Sequence, residues 1–171
     1  MKTTLSIYHA YIHSRLTYGI IIWGHCAGAD RLFKLQRRAV RIIYCLSYRA
    51  DCKMCFGQLG ILTLPCQYIF SCLIYLKMFR DDYYTRGDTH VFNLRFQHHL
   101  NIDHHRLKRT QTGISYWGPK FYNKLPIHIQ NLDVKSFKKA VKSFLLEKSY
   151  YSIKDYMSDS VCLYFDECKY T

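Results

Sequence analysis

The most apolar stretch of the chain, the 14 residues from Cys66 to Phe79, constrains the fold most, because it is apolar on every side despite Gln67 and Ser71. A helix without a polar face must lie inside other structure. Pro65 stands where a first helical position tolerates proline, which places the start of this helix. The stretch is shorter than the roughly 20 residues that span a bilayer, so a central buried helix is expected and no membrane partner.

Other amphipathic segments are spaced to pack around it. Leu5, Tyr8, Ile12, Leu16 and Trp23 recur at helical intervals from Thr4 to Trp23, with Gly24 and Gly28 marking the end, so Tyr18 and Trp23 read as core rather than base-stacking residues. Asp30 is placed to cap a second helix, in which Leu32, Leu35, Ala39, Ile42 and Ile43 form an apolar stripe. Residues 51 to 60 suit a short helix closed by Gly57 or Gly60. Pro119 begins another short helix ended by Pro126, and Ser136 is a cap for a last helix carrying Phe137, Ala140, Val141, Phe144 and Leu145 on one face.

The expected fold is mainly α: a helical bundle with an irregular His/Arg-rich middle segment that has room for a short β-hairpin around Val91 to Phe96. The boundaries read as a helical lobe over 1–80, an irregular connection over 81–118, a C-terminal helical segment over 119–158 and a tail over 159–171.

Charge narrows the function. The full chain of 171 residues holds 25 Lys and Arg against 12 Asp and Glu, a formal net charge of +13, which favours a polyanionic partner. Residues 31 to 50 carry six cations and no acid, and Lys34, Arg37, Arg38 and Arg41 follow one another at helical spacing. One helical turn separates charges by about 5–6 Å, comparable with successive phosphates. A second stripe runs through Lys135, Lys138, Lys139 and Lys142. The candidate nucleic-acid contacts are Lys34, Arg37, Arg38, Arg41, Lys138, Lys139 and Lys142, against the simpler reading of solvated helix faces.

Motifs for catalysis or metal are fragmentary. Phe79-Arg80-Asp81-Asp82 imitates the aromatic-x-Asp-Asp box in which paired carboxylates hold two divalent ions. Here the pair closes an apolar helix, with no upstream strand to supply a further aspartate. Cys52 and Cys55 have the gap of half a zinc site, and His98, His99, His104 and His105 lie more than forty residues away. No metal, cofactor or catalytic residue is expected. Lys2, His9, His13 and Arg15 break the pattern of a signal peptide, so an intracellular chain, nuclear or cytoplasmic, is expected, with its eight cysteines reduced.

The blocks YHAYIHSRLTYGIIIWG (Tyr8 to Gly24), LFKLQRRAVRII (Leu32 to Ile43), RADCKMCFGQLGILTLP (Arg49 to Pro65), GPKFYNKLPIHIQNL (Gly118 to Leu132) and SFKKAVKSFL (Ser136 to Leu145) stand in an order that resembles the region after the palm in jockey-like non-LTR retrotransposon reverse transcriptases. The likeness covers about residues 5 to 157. It implies a thumb and post-thumb piece of an RNA-directed DNA polymerase that grips template and growing duplex, an RNA–DNA hybrid above all. It also implies a missing palm, so the chain is not expected to be an enzyme on its own, and the palm of a related polymerase becomes a candidate partner. The competing expectations are a helical protein-interaction module and a decayed relic of such an element.

Overall fold

The computed structural model describes residues 2–89, 97–102, 106–107 and 112–159. It is mainly helical, as the spacing of apolar residues implied. The chain starts with α1 (Lys2–Ile7), passes through a π-helical stretch at Tyr8–His13 and continues as α2 (Ser14–Thr17). The single helix expected to Trp23 is broken there. Tyr18 turns extended and Gly19 adopts φ 59°, a left-handed conformation open to glycine at little cost. The helix resumes as α3 (Ile20–Trp23), whose Trp23 Nε1 donates to the Tyr18 carbonyl at 2.9 Å. That break swings Tyr18 into solvent, 85% exposed, so it is not the core residue expected; Trp23 is half-buried against the core and Ile20 is buried.

The next helix, α4 (Ala29–Ile43), begins one residue before the expected cap: Gly28 is the cap position and Asp30 lies inside the first turn, where its charge suits the helix dipole. Its buried face is Phe33, Gln36 and Val40, whereas Leu35 and Ile42 are 60% and 64% exposed. The face is rotated from the apolar stripe because a polar residue, Gln36, occupies its centre. Gln36 Nε2 donates to Tyr8 Oη at 3.0 Å and to the Leu62 carbonyl at 2.9 Å, while its Oε1 accepts from the Leu64 amide at 2.8 Å. One side chain thus ties three segments together.

Helix α5 (Lys53–Leu59) is closed by Gly60 at φ 67°, with Gly57 inside it. After it comes the central helix, α6 (Leu64–Met78), capped by Thr63, whose Oγ1 accepts from the Cys66 amide at 3.3 Å and donates to the Tyr150 carbonyl at 2.6 Å. Helices α3 and α4 pack on α6 from the N-terminal side of the chain. The approach of α3 is close: a Cβ on Gly24 would stand 2.4 Å from the Tyr68 ring. No single helix among the described residues is long and apolar enough to cross a membrane.

Beyond α6 a 3-10 turn (Arg80–Asp82) leads to the short α7 (Arg86–Thr89). Residues 84–87 run antiparallel to 97–101: Arg86 and Gly87 donate to the carbonyls of His99 and Gln97, Asn101 donates to that of Tyr84, and Thr85 bridges Leu100. The hairpin expected around Val91 to Phe96 lies outside the described residues, as do His104 and His105.

Helix α8 (Ile114–Asn123) starts five residues before Pro119, which it carries inside, and Asn123 grips both backbone groups of Leu100 at 2.8 and 2.9 Å. After α9 (Ile127–Gln130), α10 (Val134–Lys148) is capped by Asp133, which accepts from the Lys135 and Ser136 amides; Ser136 is therefore inside the helix rather than its cap. Asp133, one turn earlier, stands at the extended cap position from which its carboxylate faces the free amides. Helix α11 (Ile153–Ser158) completes the described fold. Helices α8, α10 and α11 all pack on α6, so residues before and after the irregular middle share one hydrophobic core. Tyr68, Phe121, Tyr156 and Tyr150 meet edge to face through it at 5.5–6.0 Å, the favoured geometry of aromatic pairs.

Candidate nucleic-acid interface

With Phe33, Gln36 and Val40 buried, helical geometry turns Lys34 and Arg38 outward and leaves Arg37 and Arg41 at the flanks. These four residues line one recess of about 380 Å³ together with Leu35, Tyr48 and Arg49. Lys34, Arg38 and Arg49 are exposed; Arg37 and Arg41 are half-buried. None of the five cations forms an ion pair with a described residue. Like charges one turn apart repel by roughly 0.7 kcal/mol in water, taking about 6 Å separation. The recess is a place where an anion removes an existing repulsion.

Tyr48 and Arg49 were not legible as part of the site, because the chain brings them there through a turn. Cys45 takes φ 53° after α4, Leu46 donates to the Arg41 carbonyl at 2.9 Å, and Ala50 donates to the Ser47 carbonyl at 3.1 Å. Arg41 then fastens this turn by donating from Nε to the Ala50 carbonyl at 2.7 Å. Arg41 therefore has a structural task beside its charge. Arg38 stands over the Tyr48 ring, 6.0 Å from its centroid.

Arg37 is the most built-in of the five. Its guanidinium lies 5.0 Å from the centroid of Phe33 and 5.5 Å from that of Tyr151, and its Nε is buried without a hydrogen-bond acceptor. Burial and neighbouring Cys52 push the Tyr151 hydroxyl upward, so it stays neutral beside the cation. A buried N–H lacking an acceptor is costly in a native fold.

The second expected stripe lies elsewhere. Lys138, Lys139 and Lys142 are exposed on α10, as their spacing implied, but they do not line the α4 recess. Lys138 borders an apolar groove of about 290 Å³ with Phe70, Ile74, Tyr75, Met78 and Phe79. Lys142 faces His13, whose imidazole is held below its ordinary value first by burial, then by His9 and by Lys142.

Asp81 and Asp82 sit exposed in the 3-10 turn that ends α6. Cys52 is buried with its Sγ 4.0 Å from the Arg37 carbonyl and 3.8 Å from Tyr151 Oη, so it faces the core rather than a shared ligand position with half-buried Cys55. His98 and His99 pack edge to face at 4.8 Å. Among the described residues no three His, Cys, Asp or Glu side chains come together as a metal site.

No protein-family model matches the chain. No curated protein and no solved structure matches it either. The chemistry of the recess is accordingly argued from its own geometry.

Proposed function

We propose that the chain is a non-catalytic nucleic-acid-binding unit that holds the phosphates of a polynucleotide in the α4 recess. The observation that carries this reading is the gathering of Lys34, Arg37, Arg38, Arg41 and Arg49 around one concavity without a carboxylate partner among the described residues. The likeness of the sequence blocks to the post-palm region of retrotransposon reverse transcriptases supports it, since a thumb grips template and product. RNA–DNA hybrid, duplex DNA and single strands all supply the necessary polyanion, and charge alone does not choose among them.

The test is fluorescence anisotropy of labelled oligonucleotides across about 50–200 mM salt. Five phosphate contacts predict a loss of roughly 500-fold for a duplex and 100-fold for a single strand. Exposed Lys34, Arg38 and Arg49 are the residues to reverse, since a glutamate at 37 would also lose the packing on Phe33 and Tyr151. The triple variant Lys34→Glu, Arg38→Glu, Arg49→Glu is expected to remain folded and lose binding. Unchanged binding by that variant overturns the proposal.

A second reading, a helical protein-interaction module, draws support from the groove beside Lys138, where Met78 is 61% and Phe79 44% exposed. The palm of a related polymerase is the partner that the resemblance implies. Salt-insensitive self-association without nucleic-acid binding would favour this reading.

A further inference from the structure

We infer that Tyr48 is a base-stacking platform and that it makes the α4 recess select unpaired strands over duplexes. This rests on the proposed nucleic-acid reading and specifies its ligand. Tyr48 lines the recess with Arg38 and Arg49 and is 74% exposed. Its position is fixed rather than trailing: the Ser47–Ala50 hydrogen bond shapes the turn, and the bond from Arg41 Nε to the Ala50 carbonyl ties it to α4. The Arg38 guanidinium covers part of the ring at 6.0 Å, and the high exposure leaves the rest of it open.

A ring presented in this way, beside cations that hold phosphates, meets the bases of the same strand. Every base has a π-face, so stacking on tyrosine is tolerant of sequence. In a duplex those faces are already covered by neighbouring base pairs, and only edges reach the grooves. A side chain next to the backbone therefore reaches a base face only when the strand is unpaired or at an open end. Arg38, Tyr48 and the base would form one continuous stack, with the guanidinium adding its attraction for the tyrosine ring. The recess then reads as a single-strand site in which Lys34, Arg37 and Arg49 supply the phosphate contacts.

The experiment compares wild type, Tyr48→Ala and Tyr48→Phe in the full chain, with anisotropy at one salt concentration. The probes are single-stranded DNA and RNA of about 12 nucleotides, the matching blunt duplex and hybrid, and an abasic strand of equal length. Wild type is expected to favour both single strands over both duplexes. Tyr48→Ala should weaken single-strand binding about tenfold, the effect of one stacked base, without changing binding to the duplexes or the abasic strand. Tyr48→Phe should behave as wild type, because the ring and not the hydroxyl acts.

A wild type that binds duplex as tightly as single strand overturns the inference. So does a Tyr48→Ala effect of equal size on the abasic strand. In either case salt-dependent phosphate binding still stands. Absence of binding to every probe removes both readings together.

Discussion

Replacing Gln36 with leucine isolates the feature on which the packing of α4 depends. Gln36 is 2% exposed, and its loss leaves the Leu64 amide without its acceptor and the Leu62 carbonyl and Tyr8 hydroxyl without their donor. An unsatisfied buried polar group costs about 1–3 kcal/mol. Taking the two backbone groups as orphaned, and offsetting part of the cost by the apolar gain of leucine, gives a net loss of about 3 kcal/mol. Native domains have only about 5–15 kcal/mol in hand. For a chain of this size that loss corresponds to roughly 6–12 °C in Tm. Urea unfolding followed by circular dichroism measures it, with Leu35→Gln as the control. Leu35 belongs to the apolar stripe of the sequence but is 60% exposed, so its replacement should change stability by less than about 0.5 kcal/mol. If Leu35→Gln costs more than Gln36→Leu, α4 faces the core differently and the outward position of its cations fails with it.

Two further outcomes follow from burial. Exposed Cys26 and Cys45 should alkylate readily near pH 8, whereas burial pushes the Cys66 thiol up to about 11 and the Cys72 thiol up to about 12, protecting both until denaturant is added. Peptide mass mapping reads this directly, and native-state modification of Cys66 or Cys72 at the rate of Cys26 would refute the packing of α6. The second concerns pH. Burial first, then His9 and Lys142, lowers the His13 pKa in the fold, so the unfolded chain, near 6.5, binds the proton more readily. Stability from His13 is fully present above that value and is lost as pH falls below it toward the folded pKa. Urea midpoints should therefore drop between about pH 7.5 and 5.5, and His13→Gln should reduce the drop. An undiminished slope in the variant contradicts this placement of His13.

The sequence made some elements legible because one property settled them. The all-apolar run from Cys66 to Phe79 after Pro65 could only be a central helix, and Gly60 closes α5 because a left-handed position favours glycine. Elsewhere the deciding interaction was long-range. The core face of α4 was misplaced because hydrophobic spacing does not register a glutamine that satisfies groups 26 and 28 residues away in the chain. The break at Gly19 was hidden inside a continuous apolar pattern, and Asp133 and Ser136 both satisfy the rules for a helix cap until the amides are placed. Within the site, Lys34, Arg37, Arg38 and Arg41 could be read from helical spacing. Tyr48 and Arg49 could not, since the Leu46–Arg41 and Arg41–Ala50 hydrogen bonds return their turn to the helix. Nor could spacing reveal that Lys138 borders an apolar groove instead of extending the same cationic surface.

Arginine side-chain NMR during titration with a short single-stranded oligonucleotide tests the central claim most directly. The Nε–H signals of Arg38 and Arg49, exposed at the recess, are predicted to shift most. That of Arg41, already bonded to Ala50, should move least. Saturable binding that leaves the Arg38 and Arg49 signals in place would contradict the account and put the nucleic acid on another surface.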